Sequence, residues 1–456
     1  MISVEKLKGL LLLLVCTALS EEIGGQTPAQ PAKDVASADA TVIDLPTVLR
    51  LAHAQNLDIK LAQESLNEAK ANRDSATWAF FPWISPGAAY RRHEGRIQAV
   101  DGTMFDTTKQ SYTVGGTITA QVDVGDALYK RLAAKQLFNA ADEELEAQRQ
   151  EAAMIAAQDY FELAKTKGLV GVLREALRIS QEYQKQIHEA VEAGIAFKGD
   201  EFRVQTQTER SQVALRQALE QQRVAAVRLA LALHLNPGVE LTSEESELVP
   251  LSLFKTETSL DRLVEQALRV RPELKQSEAL VSAARETKNG TVYGPLIPTM
   301  GAQAFGGGLG GGHGSSTGNF GSSEEYYVGL GWRIGPGGLF DFGRLNANKA
   351  RFESSKLSRE KLKDQIIGQV VENHTRLQSL NDQIEATKQN LATADKTLRL
   401  TRERKEFGVG IVLEDIQAQQ EVTRTRSDYL NAVAEFNKAQ YGLARAIGNL
   451  SETTNH

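Results

Sequence analysis

Between Ser111 and Val122 the chain reads SYTVGGTITAQV, and its polarity changes from one residue to the next. Tyr112, Val114, Ile118, Ala120 and Val122 are apolar, whereas Ser111, Thr113, Thr117, Thr119 and Gln121 are polar. That period of two predicts a strand with one apolar and one wetted face. EYYVGLGWRI repeats it: Tyr326, Val328, Leu330, Trp332 and Ile334 alternate with Tyr327, Gly329, Gly331 and Arg333. Fainter alternation marks two more stretches, so four strands are predicted, at about 84–98, 110–123, 296–306 and 325–335. Each is near the ~9–11 residues that a tilted membrane-spanning strand needs.

Most of the remaining chain carries a helical period. Val370, Leu377, Ile384, Leu391 and Leu398 recur every seventh residue, the spacing of a helix packed in coiled-coil fashion. No proline interrupts 126–193 or 343–407, so at 1.5 Å per residue each span reaches roughly 100 Å. A core helix of a compact domain is about a third of that.

The pattern occurs twice. EAGIAFKGDEFRVQTQ (192–207) lies over EFGVGIVLEDIQAQQE (406–421), which brings Gly194 onto Gly408 and Asp200 onto Glu414. The same offset sets RLALAL (228–233) over YGLARAI, NLDIK (56–60) matches RPELK (271–275), and Pro82 matches Pro298. A tandem duplication follows, with one repeat over 41–245 and the other over 246–450. Each holds a short helix, a second helix opening at NLD or RPE, a Pro-marked break, two strands, a very long helix, a tight turn and a returning helix. The helical hairpins are predicted over about 126–235 and 343–447. The first is four residues longer, so the two turns need not sit level.

Composition narrows the compartment. The 456 residues carry 52 basic and 58 acidic side chains, a net charge of −6, with no basic block; the electrostatic footprint of a nucleic-acid binder is missing. Lys6 and Lys8 precede the apolar run GLLLLLVCTAL, and Ala18 and Ser20 offer small residues to a cleavage before Glu21. Residues 1–20 are therefore read as a secretory signal peptide, with 21–40 as a flexible leader and 451–456 as a tail. The run is too short to span a bilayer, which takes ~20 residues. The only cysteine, Cys16, lies inside it, so either the mature chain lacks cysteine or Cys16 is acylated.

In hydrocarbon every backbone donor and acceptor must be satisfied internally, so strands span only as a closed barrel. Four strands close no useful lumen, and several chains would have to contribute. The apolar face then meets lipid and the Thr/Ser/Gln face lines water. Trp78, Phe80, Phe81, Trp83, Tyr326, Tyr327 and Phe340 suit interfacial girdles or simple packing.

At this point the sequence resembles the TolC-like outer-membrane efflux proteins over about 41–450. The resemblance rests on the duplicated plan, the turn GVGIVLEDIQAQQ, the terminal YGLARAIG, and VDVGDA and LFDFGRL opening the long helices. It implies an α+β membrane protein: a homotrimer whose twelve-stranded β-barrel, four strands per chain, continues as a periplasmic α-helical coiled-coil barrel. It also implies an outer-membrane exit channel working with a periplasmic adaptor and an inner-membrane transporter, with no cofactor and no catalysis. Residue by residue, it implies lipid-facing Tyr112, Val114, Ile118, Val122, Val328, Leu330 and Trp332. It implies adaptor-contacting tips at Gly194, Ile195, Gly408 and Val409, and a periplasmic aperture at Asp200, Glu414, Asp415 and Gln417. This chain has Glu414 and Gln417 where TolC-like members carry paired aspartates, so an aperture of two acidic rings is not implied.

Other chemistries find little support. The run GAQAFGGGLGGGHGSSTGNFGSS (301–323) lacks the G-K-[ST] of a phosphate loop and leads into a strand, so it is read as a mobile extracellular loop. The seven histidines show no metal-ligand spacing. Two alternatives stay open: a periplasmic adaptor or coiled-coil scaffold without channel activity, and a secreted enzyme on a helical stalk. The first would show one hairpin flanked by lipoyl half-motifs, the second a convergent catalytic set.

Overall fold

The computed structural model describes residues 41–245, 247–254, 259–314, 318–406 and 412–450. The signal peptide, Cys16, the leader, Gly408, Val409 and the C-terminal tail lie outside the described residues. Two chain halves follow one order. The first runs β1 (Thr41–Ile43), α1 (Leu45–Gln55), α2 (Leu57–Trp78), β2 (Trp83–Gln98), β3 (Met104–Asp123), α3 (Val124–Glu192), α4 (Lys198–Ala232) and β4 (Leu241–Ser243). The second runs α5 (Leu260–Val270), α6 (Pro272–Tyr293), β5 (Thr299–His313), β6 (Gly321–Gly331), α7 (Phe342–Glu406) and α8 (Val412–Ala446).

The helices begin where the sequence supplies caps. Asn56 Oδ1 accepts from the amides of Asp58 and Ile59 at 2.8 and 3.2 Å and starts α2. VDVGDA and LFDFGRL open the long helices for the same reason: Asp123 accepts from the Asp126 amide at 3.1 Å, and Asp341 from the Arg344 amide at 3.0 Å. Gly125 of the first motif is required by space, since a Cβ there would stand 2.2 Å from the Gly294 carbonyl oxygen. With 69 and 65 residues, α3 and α7 are each roughly 100 Å long.

The core sits midway along those helices. Ala153, Ala156, Ala157, Tyr160, Phe161 and Leu163 of α3 pack with Ile366, Val370 and Leu377 of α7 and with Val433, Ala434, Leu443 and Ala444 of α8 in one buried cluster. Small side chains on α3 and α8 let backbones approach closely, and the larger ones between them fill the gaps. The segment joining the repeats runs along α8, where side-chain amides stand in for a strand: Asn437 bonds Leu251 N at 2.8 Å and Val249 O at 2.9 Å, and Gln440 accepts from Phe254 N at 3.1 Å.

The four long strands form one antiparallel sheet in the order β2-β3-β5-β6. They hold 16, 20, 15 and 11 residues, more than hydropathy alternation predicts for three of them. β3 starts at Met104 rather than 110 because Asp106 to Ser111 is polar at every position and carries no alternation to read. β6 ends at Gly331, so Trp332 lies just past the strand, its Nε1 donating to Leu296 O at 3.2 Å.

The glycine run corrects the sequence reading. Gly301 to His313 belongs to β5 and Gly321 to β6, so most of the expected mobile loop is sheet. Glycine is there for room. A Cβ on Gly308 would meet the Phe320 ring at 2.0 Å, one on Gly310 the Tyr112 ring at 2.5 Å, and one on Gly307 the Val114 carbonyl oxygen at 2.4 Å. Tyr112 and Phe320 stack with centroids 5.8 Å apart, covering the glycines that would otherwise leave the sheet bare.

Candidate functional site

The ladder register sorts every strand residue onto one of two faces. Ile84 pairs with Ile118, Ile118 with Ala304, and Ala304 with Tyr326; Val114 pairs with Ala88 and Gly308, and Val122 with Met300, which pairs with Leu330. Tyr112, Val114, Ile118, Val122, Val328 and Leu330 therefore share a single face, the even-numbered one, which is apolar across four strands. Its one charge in mid-band is Glu324, which accepts from the Tyr326 hydroxyl at 3.1 Å. Trp332 has the same parity but lies outside the ladder. The odd-numbered face carries Ser85, Thr113, Thr117, Thr119, Gln121 and Gln303.

Below the sheet, the two repeats are tied where the long helices begin. Arg344 Nη2 of α7 lies 3.1 Å from Asp126 Oδ1 of α3, and Lys130 reaches the other carboxylate oxygen at 2.6 Å. Burial would raise Asp126, but Lys130 and Arg344 outweigh it and hold the carboxyl below its usual value. Farther along, Arg271 is only 2% exposed and forks onto Glu273, which also meets Arg445 at 2.9 Å; Arg445 continues to Glu151 at 2.8 Å. This chain of charges joins α6, α8 and α3.

At the opposite end from the sheet, α3 ends in a left-handed turn at Gly194 (φ +73°). Ile195 N donates back to Ala190 O at 3.0 Å, the closure expected when glycine follows a helix. Ile195 itself is 82% exposed. Asp200 sits in the first turn of α4 and accepts from Arg203 at 3.1 Å. The four predicted aperture residues do not form one cluster. Glu414 accepts from Arg404 of α7 at 3.2 Å; Gln417 is exposed. Asp415 is buried, and its charge bears on Tyr183 together with that of Asp200. Burial first, then the charges of Asp415 and Asp200, push the Tyr183 phenol up.

Tyr183 and Arg404 were not legible as site residues. Arg404 could have been found by folding the hairpin about Gly408 and asking what faces Glu414; Tyr183 carries no such signal, being one aromatic on a long helix. Between the two hairpins lies a groove of about 910 Å³, lined by Tyr183, Gln207, Arg402, Asp415, Gln419 and Gln420 among others. Gln420 donates to Gln207 across it, linking α8 to α4. Among the described residues no helix is long and apolar enough to cross a membrane, and none of the acidic, His or Cys residues cluster as a metal site.

The comparisons bear on this arrangement directly. The model of the outer membrane efflux protein family matches residues 48–233 and 263–449, one segment in each repeat. No curated protein sequence matches. Solved structures do: the CmeC outer membrane channel of Campylobacter jejuni superposes with a TM-score of 0.77 at 14% identity, covering 95% of this chain and 97% of that one. The outer-membrane channel OprN gives 0.75 at 18% identity over 89% and 90%. The MtrE outer membrane channel of Neisseria gonorrhoeae, solved in an open state, gives 0.72 at 16% over 89% of each chain. A family match in both halves of a duplicated chain, on a sheet with one apolar face and two long helical hairpins, leaves one conclusion: the chain belongs to the outer membrane efflux protein family, as an efflux channel of the outer membrane with its helical part in the periplasm.

Proposed function

We propose that three copies of the chain close their sheets into a twelve-stranded barrel and their hairpins into a periplasmic tunnel. The resulting duct takes cargo from an inner-membrane transporter and its periplasmic adaptor and releases it outside. The observation that carries this is the apolar face continuous over four strands whose outer members, β2 and β6, have no partner on their far edges among the described residues. Lipid tolerates neither free edge, and pairing β6 of one copy with β2 of the next removes both. From Tyr112 to Val122 the apolar stretch of β3 spans roughly 34 Å along the strand, or about 25 Å in height at a tilt near 40°, the height of an outer-membrane apolar band.

The mechanism is passive confinement: cargo, whether small toxic compounds or secreted proteins, moves through water while the pump supplies the energy. No catalytic step belongs to it. Two hairpins per chain, rather than one, set it apart from an adaptor. Light scattering of the detergent-solubilised protein, corrected for detergent, should give the mass of three chains; a mass of one chain would overturn the reading.

The hairpin ends gate this duct in our reading. Threefold closure gathers Glu414 around one axis, where low-dielectric walls focus its field on passing cations, and Arg404 tempers it at 3.2 Å. Planar-bilayer recordings should therefore show cation selectivity that weakens in Glu414→Gln and is abolished or reversed in Glu414→Lys. Arg404→Gln, which frees the carboxylate, should strengthen it. An unchanged reversal potential in all three variants would reduce Glu414 to a residue that favours the start of α8 through the helix dipole.

A further inference from the structure

The two faces of the sheet diverge in charge at the end remote from the helices. On the even face, the apolar stretch of β3 stops at Tyr112, and the bases beyond it have acids beside them: Arg92 pairs with Glu94, and Arg96 lies 3.8 Å from Asp106. On the odd face the balance is lost. His93 pairs across the ladder with Lys109 and Lys109 with His313, so three neighbouring strands place basic residue types side by side. The next odd-face rung inward carries Arg91, paired with Ser111, which pairs in turn with Gly311.

No acid stands nearby on that face. The odd positions of β2 from Ser85 to Ile97, of β3 from Phe105 to Gln121 and of β5 from Thr299 to His313 contain neither Asp nor Glu. Glu325 of β6 pairs with Phe305, far down the ladder from His313. Hydrogen-bonding capacity is also left over: His313 Nε2 meets Thr107 Oγ1 at 3.0 Å, whereas His93 Nε2 is buried with no partner among the described residues.

We propose that Arg91, His93, Lys109 and His313 form an anion-binding belt lining the external mouth of the channel, with small multivalent oxyanions such as phosphates and carboxylates as its ligands. The inference rests on the proposed lumen-facing role of the odd face. Threefold closure repeats the set around the pore, where Arg91 and Lys109, which have no ion-pair partner among the described residues, act at short range across a confined aqueous lumen and are less screened than on an open surface. Arg91 supplies a planar fork matched to oxyanions, Lys109 a mobile point charge, and the imidazoles further donors.

The test uses the full-length channel in planar bilayers. The long polar helices keep the periplasmic end in the chamber of addition, so the opposite chamber reaches the barrel mouth. Inorganic tripolyphosphate in that opposite chamber should block current at concentrations at least tenfold lower than in the chamber of addition. Lys109→Gln combined with Arg91→Gln should lift the block at least tenfold, while Arg92→Gln on the other face should leave it in place. Equal block from both chambers in the wild type, or equal relief in Arg92→Gln, would overturn the belt, and the wild-type comparison decides even if the double variant assembles poorly. Absence of any conductance would overturn the channel reading beneath it.

Discussion

Arginine at Val114 or Leu330 is expected to destabilise the assembled channel, by up to the ~2–4 kcal/mol of a charge at the bilayer midplane, and to strip trimers from the membrane, because each would place a charge within the apolar band. Both positions are exposed in the single chain, at 54% and 66%, so neither substitution destroys a packed core; the cost arises only if lipid covers that face. Thr117→Arg makes the control. Thr117 pairs with Ser85 and Phe305 on the odd face, and an arginine there meets water, so it should alter conductance while trimer yield stays near wild type. Heat-modifiable trimer on gels after membrane extraction gives the readout, and equal loss in both classes would mean that the faces are assigned the wrong way round.

The second large effect lies in the buried charges halfway along the helices. Arg271→Met should destabilise the protein by about 3 kcal/mol at neutral pH, since removing one member of a buried pair leaves the other without its compensation. Glu273 keeps Arg445, at 2.9 Å, which holds the figure at the low end; Gln369, which accepts from Arg271, loses its donor as well. Burial would raise the Glu273 carboxyl, but Arg271 and Arg445 outweigh it and hold it below its ordinary value of 4.5. A carboxylate depressed in the folded state contributes stability that is full above its unfolded pKa and lost as pH falls through the folded one. The gap between wild type and Arg271→Met should therefore be widest at neutral pH and shrink below pH 4.5. Denaturant midpoints at several pH values check this; a gap that widens in acid would contradict it.

What the sequence disclosed follows from how each feature is written. The strands near Ser111–Val122 and Glu325–Gly331 announced themselves because one face meets an apolar environment and the other water, so alternation survives in composition. The outer part of β3 did not, because Asp106 to Ser111 is polar on both faces. The long helices were legible from absent prolines and a sevenfold apolar repeat, and their starting points from Asp123 and Asp341. The glycines of β5 misled because the same residue serves flexibility and close approach; only the rings of Tyr112 and Phe320 beside them show which. At the hairpin ends the helix-starting acids were visible, but which way each points was not. Asp415 turns toward Tyr183 and Glu414 toward Arg404, a choice set by the phase of α8 rather than by residue type.

The central claim is that three chains enclose one continuous aqueous path. Electron microscopy of the detergent-solubilised protein tests it most directly. The account predicts a hollow particle with threefold symmetry, a short twelve-stranded barrel at one end and a helical tunnel on the order of 100 Å long below it. A particle without a lumen, or one containing a single chain, would contradict it.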